Sequence, residues 1–405
     1  MQTTFAFPLY KGDKERWRKL ASLVKKGRDG GILPPLQREV ARRSRDGGIE
    51  NMKKILQDLS YAELEALVLA LGEKKFRAKQ LYEGLMQGKT VEGITSLSKA
   101  FKEKLLEEYE NEPVRIKETF VSSDGTEKYL FEYADGNLVE GVLMKYKYGY
   151  TQCVSTQVGC RMGCKFCAST LGGLLRNLTA GEILSQILVV NALHKEDVVG
   201  QGKEARAVTN VVLMGSGEPL DNYYEVLKFL RNVTAEGGVC ISARNISLST
   251  CGIVPKMYKL ADEGIALNLT VSLHATDDES RARTMPVAKA YKISEILKAC
   301  DYYFQKTGRR YYFEYTLIEG ENCDEEHARA LVNLLKGKPC HVNLIRLNEV
   351  KERDLKSTGD KEAYRFLGHL EKGGLSATLR RQIGVDIGGA CGQLRANYLE
   401  ERKRV

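Results

Sequence analysis

Gly159-Cys160-Arg161-Met162-Gly163-Cys164-Lys165-Phe166-Cys167 sets three cysteines on one short loop at a C-x3-C-x2-C spacing. Three thiolates so placed can each bind a separate iron of a [4Fe–4S] cubane, which leaves the fourth iron without a protein ligand. An iron left open in this way can chelate the amino and carboxylate groups of S-adenosylmethionine (SAM) and pass an electron to its sulfonium. The competing reading is structural zinc, which takes four Cys or His ligands, usually as two separated pairs. No second C-x2-C exists, and His194, His274, His327, His341 and His369 all lie well away from the loop in sequence. The cluster is the better expectation.

The segments around the loop predict its setting. After Cys153, apolar strand runs at 208–214, 245–249, 267–272, 311–318, 341–347 and 377–379 alternate with helical patterns at 180–193, 222–232, 254–262, 293–306, 325–335 and 363–371. Six such units imply an α/β fold with a parallel sheet, rolled into a partial (βα)6 TIM-like barrel. Thr179, with Glu182 three residues on, predicts a capping-box start for the first of these helices. Before Cys153, residues 115–153 switch to a two-residue period, and Asp135-Gly136-Asn137 predicts a hairpin turn. Helical spacing predicts small helices at 61–71, 77–86 and 99–109, and Met52-Lys53-Lys54-Ile55-Leu56-Gln57-Asp58-Leu59 reads as one more helical pattern.

The chain therefore divides into a basic extension (1–51), a helical RNA-binding accessory domain (52–114), a β-hairpin extension (115–145), the core with the cysteine loop (146–384) and a C-terminal loop (385–405). The formal net charge is +9, and residues 1–51 carry +6 of it, which points to a polyanionic partner. Three readings of that leader stay open: a nucleic-acid-binding arm, a disordered tail, or a start placed too far upstream of Met52. Lys74, Lys75, Arg77 and Lys79 add basic residues to the helical unit, where an RNA contact and a solvated helix face look alike. No apolar run approaches bilayer length and no signal-peptide core opens the chain, so no membrane association and a cytoplasmic location are expected. In that reducing setting ten cysteines argue for metal or redox chemistry over a disulfide framework.

In a parallel βα barrel, binding and reactive groups collect at the C-terminal ends of the strands. The run 208–214 leads into Gly215-Ser216-Gly217-Glu218-Pro219, whose glycines let a backbone approach a ligand and whose Glu218 offers a carboxylate to an ammonium group. Other runs end at Ser249, at Ser272-Leu273-His274 and at Asn348, placing small polar groups on the same rim. Cys153 precedes the cysteine loop. Cys391 lies in Gly388-Gly389-Ala390-Cys391-Gly392, a flexible setting that suits either a nucleophile meeting two partners or a free thiol in a turn. Cys240, Cys251, Cys300, Cys323 and Cys340 read as structural.

From about Met52 onward the chain resembles the RlmN family, the dual-specificity 23S rRNA/tRNA adenine-C2 methyltransferases of the radical SAM superfamily. The resemblance rests on Cys153-Val154-Ser155-Thr156-Gln157-Val158-Gly159-Cys160, Met214-Gly215-Ser216-Gly217-Glu218-Pro219-Leu220, Leu248-Ser249-Thr250-Cys251-Gly252-Ile253-Val254-Pro255, Ser272-Leu273-His274-Ala275, Val342-Asn343-Leu344-Ile345 and the segment from Arg380 to Leu394. It implies a [4Fe–4S] cluster on Cys160, Cys164 and Cys167, with SAM bound by Gly217, Glu218, Ser249, Ser272, Leu273, His274 and Asn348. It further implies a methyl-carrying Cys391, a transient disulfide between Cys153 and Cys391, and Glu140 as proton acceptor. The implied partners are 23S rRNA and tRNA, with an electron donor such as flavodoxin, for a monomeric enzyme. Ser216, Gly141 and Cys251 stand where the family commonly has Met, Thr, and Ser or Gly. Of these, Gly141 is the one expected to loosen a neighbouring carboxylate, that of Glu140.

The implied scheme suits the chemistry. Carbon 2 of adenine is electron-poor, so it cannot attack a SAM methyl directly, whereas a carbon radical can add to it. One SAM would methylate the Cys391 thiolate, and a second, cleaved reductively, would give a 5′-deoxyadenosyl radical that takes a hydrogen from that methyl group. After addition and loss of the ring proton, Cys153 would attack Cys391 and release the product, and thiol–disulfide exchange would restore both thiols. The nearest rival is a Cfr-like adenine-C8 rRNA methyltransferase; Ser249-Thr250-Cys251-Gly252, Ser272-Leu273-His274-Ala275 and Arg380-Arg381-Gln382 favour C2. A rival of another class is a zinc-stabilised, non-catalytic RNA-binding protein.

Overall fold

Ser60 starts the first helix, α1 (Tyr61–Ala70), by accepting the Glu63 amide while the Glu63 carboxylate returns to the Ser60 N–H. The structure is a computed structural model that describes residues 53–147, 149–198, 206–350, 352–384 and 386–387. The extension 1–51 and the Cys391 loop lie outside those residues. Helices α2 (Phe76–Met86) and α3 (Lys99–Glu108) follow α1, as their spacing predicts. Leu64, Val68, Leu81, Leu85, Phe101 and Leu105 close a small core of their own among the three. The helix expected from Met52 is not found over 53–59. Lys54 forms a parallel bridge with Tyr109 instead, and only a 3-10 turn at Leu56–Asp58 remains. Lys74, Lys75 and Lys79 are exposed, whereas Arg77 is half-buried and donates to the Ser96 carbonyl at 2.6 Å.

Strands β1 (Val114–Val121), β2 (Glu127–Tyr133), β3 (Leu138–Tyr146) and β4 (Gly149–Cys153) form an antiparallel meander. The turn at Asp135-Gly136-Asn137 is where it was expected, with Gly136 at φ +76° and its N–H bonded to the Tyr133 carbonyl. A separate two-stranded sheet, β5 (Gln157–Gly159) and β6 (Leu174–Asn177), comes next. The rest alternates: α4 (Ala180–Leu193), β7 (Val208–Leu213), α5 (Tyr223–Thr234), β8 (Ile246–Thr250), α6 (Val254–Asp262), β9 (Asn268–Ser272), α7 (Asp278–Thr284), α8 (Ile293–Thr307), β10 (Tyr311–Leu317), α9 (Glu325–Leu335), β11 (Cys340–Arg346), α10 (Asp360–Lys372) and β12 (Ala377–Leu379). Thr179 and Glu182 form the expected capping box on α4.

The main sheet has ten strands in the order β1-β2-β3-β4-β7-β8-β9-β10-β11-β12, and every pairing from β4 to β12 is parallel. Strand β4, which its period grouped with the hairpin region, is thus the first strand of the parallel set. Segment 115–145 is not set apart, because β1–β3 continue the same sheet. Among the described residues β1 and β12 are its edges, so the barrel is partial, as expected of the α/β class. Helices α4, α5, α6, α8, α9 and α10 bury apolar stripes against the sheet, with Ile187, Phe229, Met257, Ile296, Leu331 and Phe366 in one continuous core. Helix α7 was not foreseen: Asp278-Glu279-Ser280-Arg281-Ala282-Arg283-Thr284 has no apolar period, and Asp277 caps it.

Candidate active site

The cysteine loop is the connection from β5 to β6, and its base is braced. Arg176 on β6 makes a two-point contact with Glu182 of α4 at 2.7 and 2.8 Å and reaches Asp135 at 2.5 Å. The loop folds back by bonds from Cys160 N–H to the Gly173 carbonyl and from Thr170 Oγ1 to the Cys164 and Cys167 carbonyls. Gly163, at φ +73°, makes the sharp turn between the first two thiols. Lys165 N–H bonds to the Thr284 carbonyl, which ties the loop to α7.

All three thiols, with the ends of β7 to β11, line one cavity of about 230 Å³. Burial pushes the Cys160 thiol up to about 12 and raises Cys164 and Cys167 as well, so a cationic group is needed to hold all three as thiolates. Among the described residues no three Cys, His, Asp or Glu side chains gather so as to hold a single metal ion. A polynuclear iron–sulfur cluster asks for something else, one thiolate per iron around a larger body, and the three thiols fit that demand.

Gly217, Glu218, Ser249, Ser272, His274 and Asn348 all line the same cavity. Leu273 does not: its side chain is fully buried in the core, its N–H donates to Glu314 O and its carbonyl accepts from Arg281. The glycines of 215–217 serve the protein's own packing as much as a ligand. A Cβ on Gly215 would lie 2.7 Å from Ser155 Oγ, and one on Gly217, at φ +106°, would lie 2.6 Å from Gln157 Cβ. Glu218 is buried, and its oxygens accept the Leu220 and Cys251 amides at 2.9 and 2.7 Å, with the Thr250 and Cys251 side chains also bonded to the carboxylate, which fixes it in place. His274 has φ +57° and accepts the Thr316 N–H on Nδ1 at 2.9 Å, which leaves the ring hydrogen on Nε2. Burial and then Arg281 hold its pKa down to about 3, so the imidazole is neutral. Phe166 of the loop packs edge-on against it, centroids 4.6 Å apart.

Three residues escaped the sequence reading. Glu314 lines the cavity, accepts from Ser249 Oγ at 3.1 Å and pairs with Arg380 at 3.2 Å. Its signal was a carboxylate inside the apolar run Tyr311-Tyr312-Phe313-Glu314-Tyr315-Thr316-Leu317. Arg380 belonged to a quoted motif but had no role. Cys251, read as structural, lies on the cavity wall with its thiol hydrogen-bonded to Glu218, and burial raises it well above the ordinary range.

Cys153 and Glu140 are not on the cavity wall. Cys153 ends β4, paired with β3 on one side and β7 on the other. Burial pushes its thiol up to about 12, with Arg380 acting in the opposite sense and Glu140 and Glu314 adding to the rise. Glu140 is buried on β3, and Ser155 Oγ bridges its carbonyl to the Ser216 amide. Gly141 beside it is closely packed. A Cβ there would lie 2.5 Å from the Phe131 ring and 2.9 Å from Gln152 Nε2, so the backbone is held by close packing.

Residues 154–332 match the Radical SAM superfamily, and residues 55–110 match the Ribosomal RNA large subunit methyltransferase N-terminal domain. A protein of Lachnoclostridium phytofermentans named "Probable dual-specificity RNA methyltransferase RlmN" is 49% identical over 349 residues, 85% of this chain and 95% of that protein. Its namesake in Clostridium perfringens is 49% identical over 354 residues, 87% and 99% of the two chains. The crystal structure of a radical SAM methyltransferase from Sphaerobacter thermophilus superposes with a TM-score of 0.79 at 39% identity, covering 84% of this chain and 98% of that one. Among the described residues no helix is long and apolar enough to cross a membrane.

Proposed function

The chain belongs to the RlmN family of radical SAM dual-specificity RNA methyltransferases, and from that premise we propose that the thiol-lined cavity serves methyl transfer to carbon 2 of an adenine in 23S rRNA and tRNA. The observation that carries the reading is the meeting of Cys160, Cys164 and Cys167 with the polar strand ends of β7 to β11 around one cavity, with Cys153 on β4 paired to β7. Cys160, Cys164 and Cys167 would hold a [4Fe–4S] cluster. Gly217, Glu218, Ser249, Ser272, His274 and Asn348 would hold SAM, the fixed Glu218 carboxylate taking its ammonium and the neutral His274 donating through Nε2. Bound there, cluster and cofactor supply a radical able to take a hydrogen atom from a methyl group.

The remaining residues handle methyl and proton. Cys391 would carry the methyl group as a thioether. Cys153 would attack it to release the methylated base, forming a transient disulfide, and Glu140 would accept the ring proton. A Cys153 thiol kept neutral by burial does not compete as a nucleophile before the base arrives. The target adenine must be unpaired or extruded to reach such a site. The helical unit of residues 52–114, with Lys74, Lys75 and Lys79 exposed, would contact RNA backbone. A low-potential protein such as flavodoxin would supply electrons.

The test is mass spectrometry of nucleosides from RNA incubated with anaerobically reconstituted protein, SAM and a reductant. The expected product is 2-methyladenosine. Formation of 8-methyladenosine instead would transfer the reading to the C8 rival, and a colourless protein with stoichiometric zinc would overturn it.

A further inference from the structure

Arg281 is a fully buried arginine on α7, and it leads the large side chains that have no exposed surface. Its Nε donates to the Leu273 carbonyl at 3.2 Å, and Nη2 donates to the Ser272 and Cys251 carbonyls at 2.9 and 2.7 Å. Among the described residues its Nη1 has no hydrogen-bond partner, and no carboxylate forms an ion pair with it. A guanidinium cannot shed its proton to escape burial, so a charge in this position is costly unless something opposite in sign compensates it. The three carbonyl dipoles do so only in part. The neighbours whose negative charge would favour the cation are, in order, the Cys251 and Cys164 sulfurs and then Asp278, whose Oδ1 already accepts the Ile293 amide. Cys164 and Cys251 pack with Met285 in one small group, and the Met285 amide bonds to the Arg281 carbonyl. The unmatched cation therefore stands beside a thiol assigned above to the cluster.

A cubane on three thiolates is anionic when oxidised and gains a further negative charge on reduction. We propose that Arg281 is a positioning residue that holds a buried positive charge beside Cys164 and sets the reduction potential of the cluster by favouring its reduced state. This rests on the cluster assignment made above. It differs from a stapling role, in which the same three carbonyl bonds simply hold the ends of β8 and β9 together and the charge is incidental.

The test is a potentiometric titration, followed by electron paramagnetic resonance, of the reconstituted full-length protein without RNA, for wild type, Arg281→Lys and Arg281→Gln. Lysine keeps the charge and should keep the midpoint near that of the wild type. Glutamine removes it, and at the wild-type midpoint the ratio of reduced to oxidised cluster should fall about tenfold, a downward shift of about 59 mV for one electron. Equal midpoints in all three proteins, or equal downward shifts in both variants, would overturn the proposal in favour of stapling. Should Arg281→Gln not accumulate as folded protein, wild type labelled with 15N-arginine decides. The reduced cluster should show a 15N coupling that Arg281→Lys weakens, and a coupling unchanged in that variant refutes the placement. A wild-type protein that assembles no iron–sulfur cluster fails at the earlier step, on iron and sulfide content, before any potential is read.

Discussion

The cavity thiols and Cys153 lie close in sequence and live in unlike surroundings. Cys160, Cys164 and Cys167 ride on a loop that joins β5 to β6, outside the main sheet, and they surround a space larger than any one of them could fill. Cys153 sits inside the main sheet, hydrogen-bonded on both sides, single and buried. A loop with a glycine turn can gather several ligands around a bulky group, whereas a strand holds one side chain at one address. On the proposed roles, the difference would keep electron delivery and methyl release apart, although only six residues lie between Cys153 and Cys160.

Breaking the loop set should have the largest effect. Cys164→Ala should lose most of the bound iron and reduce RNA methylation at least about 100-fold, read by iron analysis and product mass spectrometry. Next, Cys391→Ala should keep iron and SAM binding and still abolish methylated product; substantial product from that variant would sink the carrier role. Cys153→Ala should also keep the cluster, but it should accumulate protein covalently joined to RNA on denaturing gels. Free methylated RNA at the normal rate would end the distinction drawn here.

The contrast is also visible without turnover. With a thiol near 12, Cys153 is almost wholly protonated at pH 8, so iodoacetamide should label it at least about 100-fold more slowly than an exposed cysteine. Its rate should climb about tenfold per pH unit from 8 to 10. The smallest expected effect is a control that touches neither set. Burial raises the Asp58 carboxyl to about 6, and it accepts the Gly181 amide at the start of α4 at 2.6 Å. The folded state thus binds this proton more tightly than the unfolded chain does, so the stability it lends is full below about pH 4 and is lost as pH rises through 6. Asp58→Asn should therefore stabilise the fold by about 1–3 kcal/mol at pH 8 and by little at pH 4, in thermal melts, with methylation unchanged.

Much of this was legible from the chain alone because periodicity and capping are local. Ala180–Leu193, Val254–Asp262 and Glu325–Leu335 form where their apolar spacing places them, and six of the seven expected SAM contacts meet on one cavity. What was hidden depends on distant partners. Nothing in Gly149–Cys153 says that it will pair parallel with β7, and α7 carries no apolar stripe to betray it. Glu314 and Cys251 acquire meaning only when β8 and β10 bring their ends to one rim. Leu273, between two cavity residues just past the end of β9, turns its side chain into the core.

Gly141 leaves a trace that can be sought across relatives rather than in a cuvette. Its missing side chain is replaced by the ring of Phe131 and the amide of Gln152, so the three positions share one volume. Any lineage that carries a threonine at 141 must shrink or turn one of the other two, and single exchanges among them should be rarer than paired ones. The neighbourhood of Glu140 then changes by concerted steps, and grafting a lone threonine into this chain should cost it solubility before it costs it catalysis.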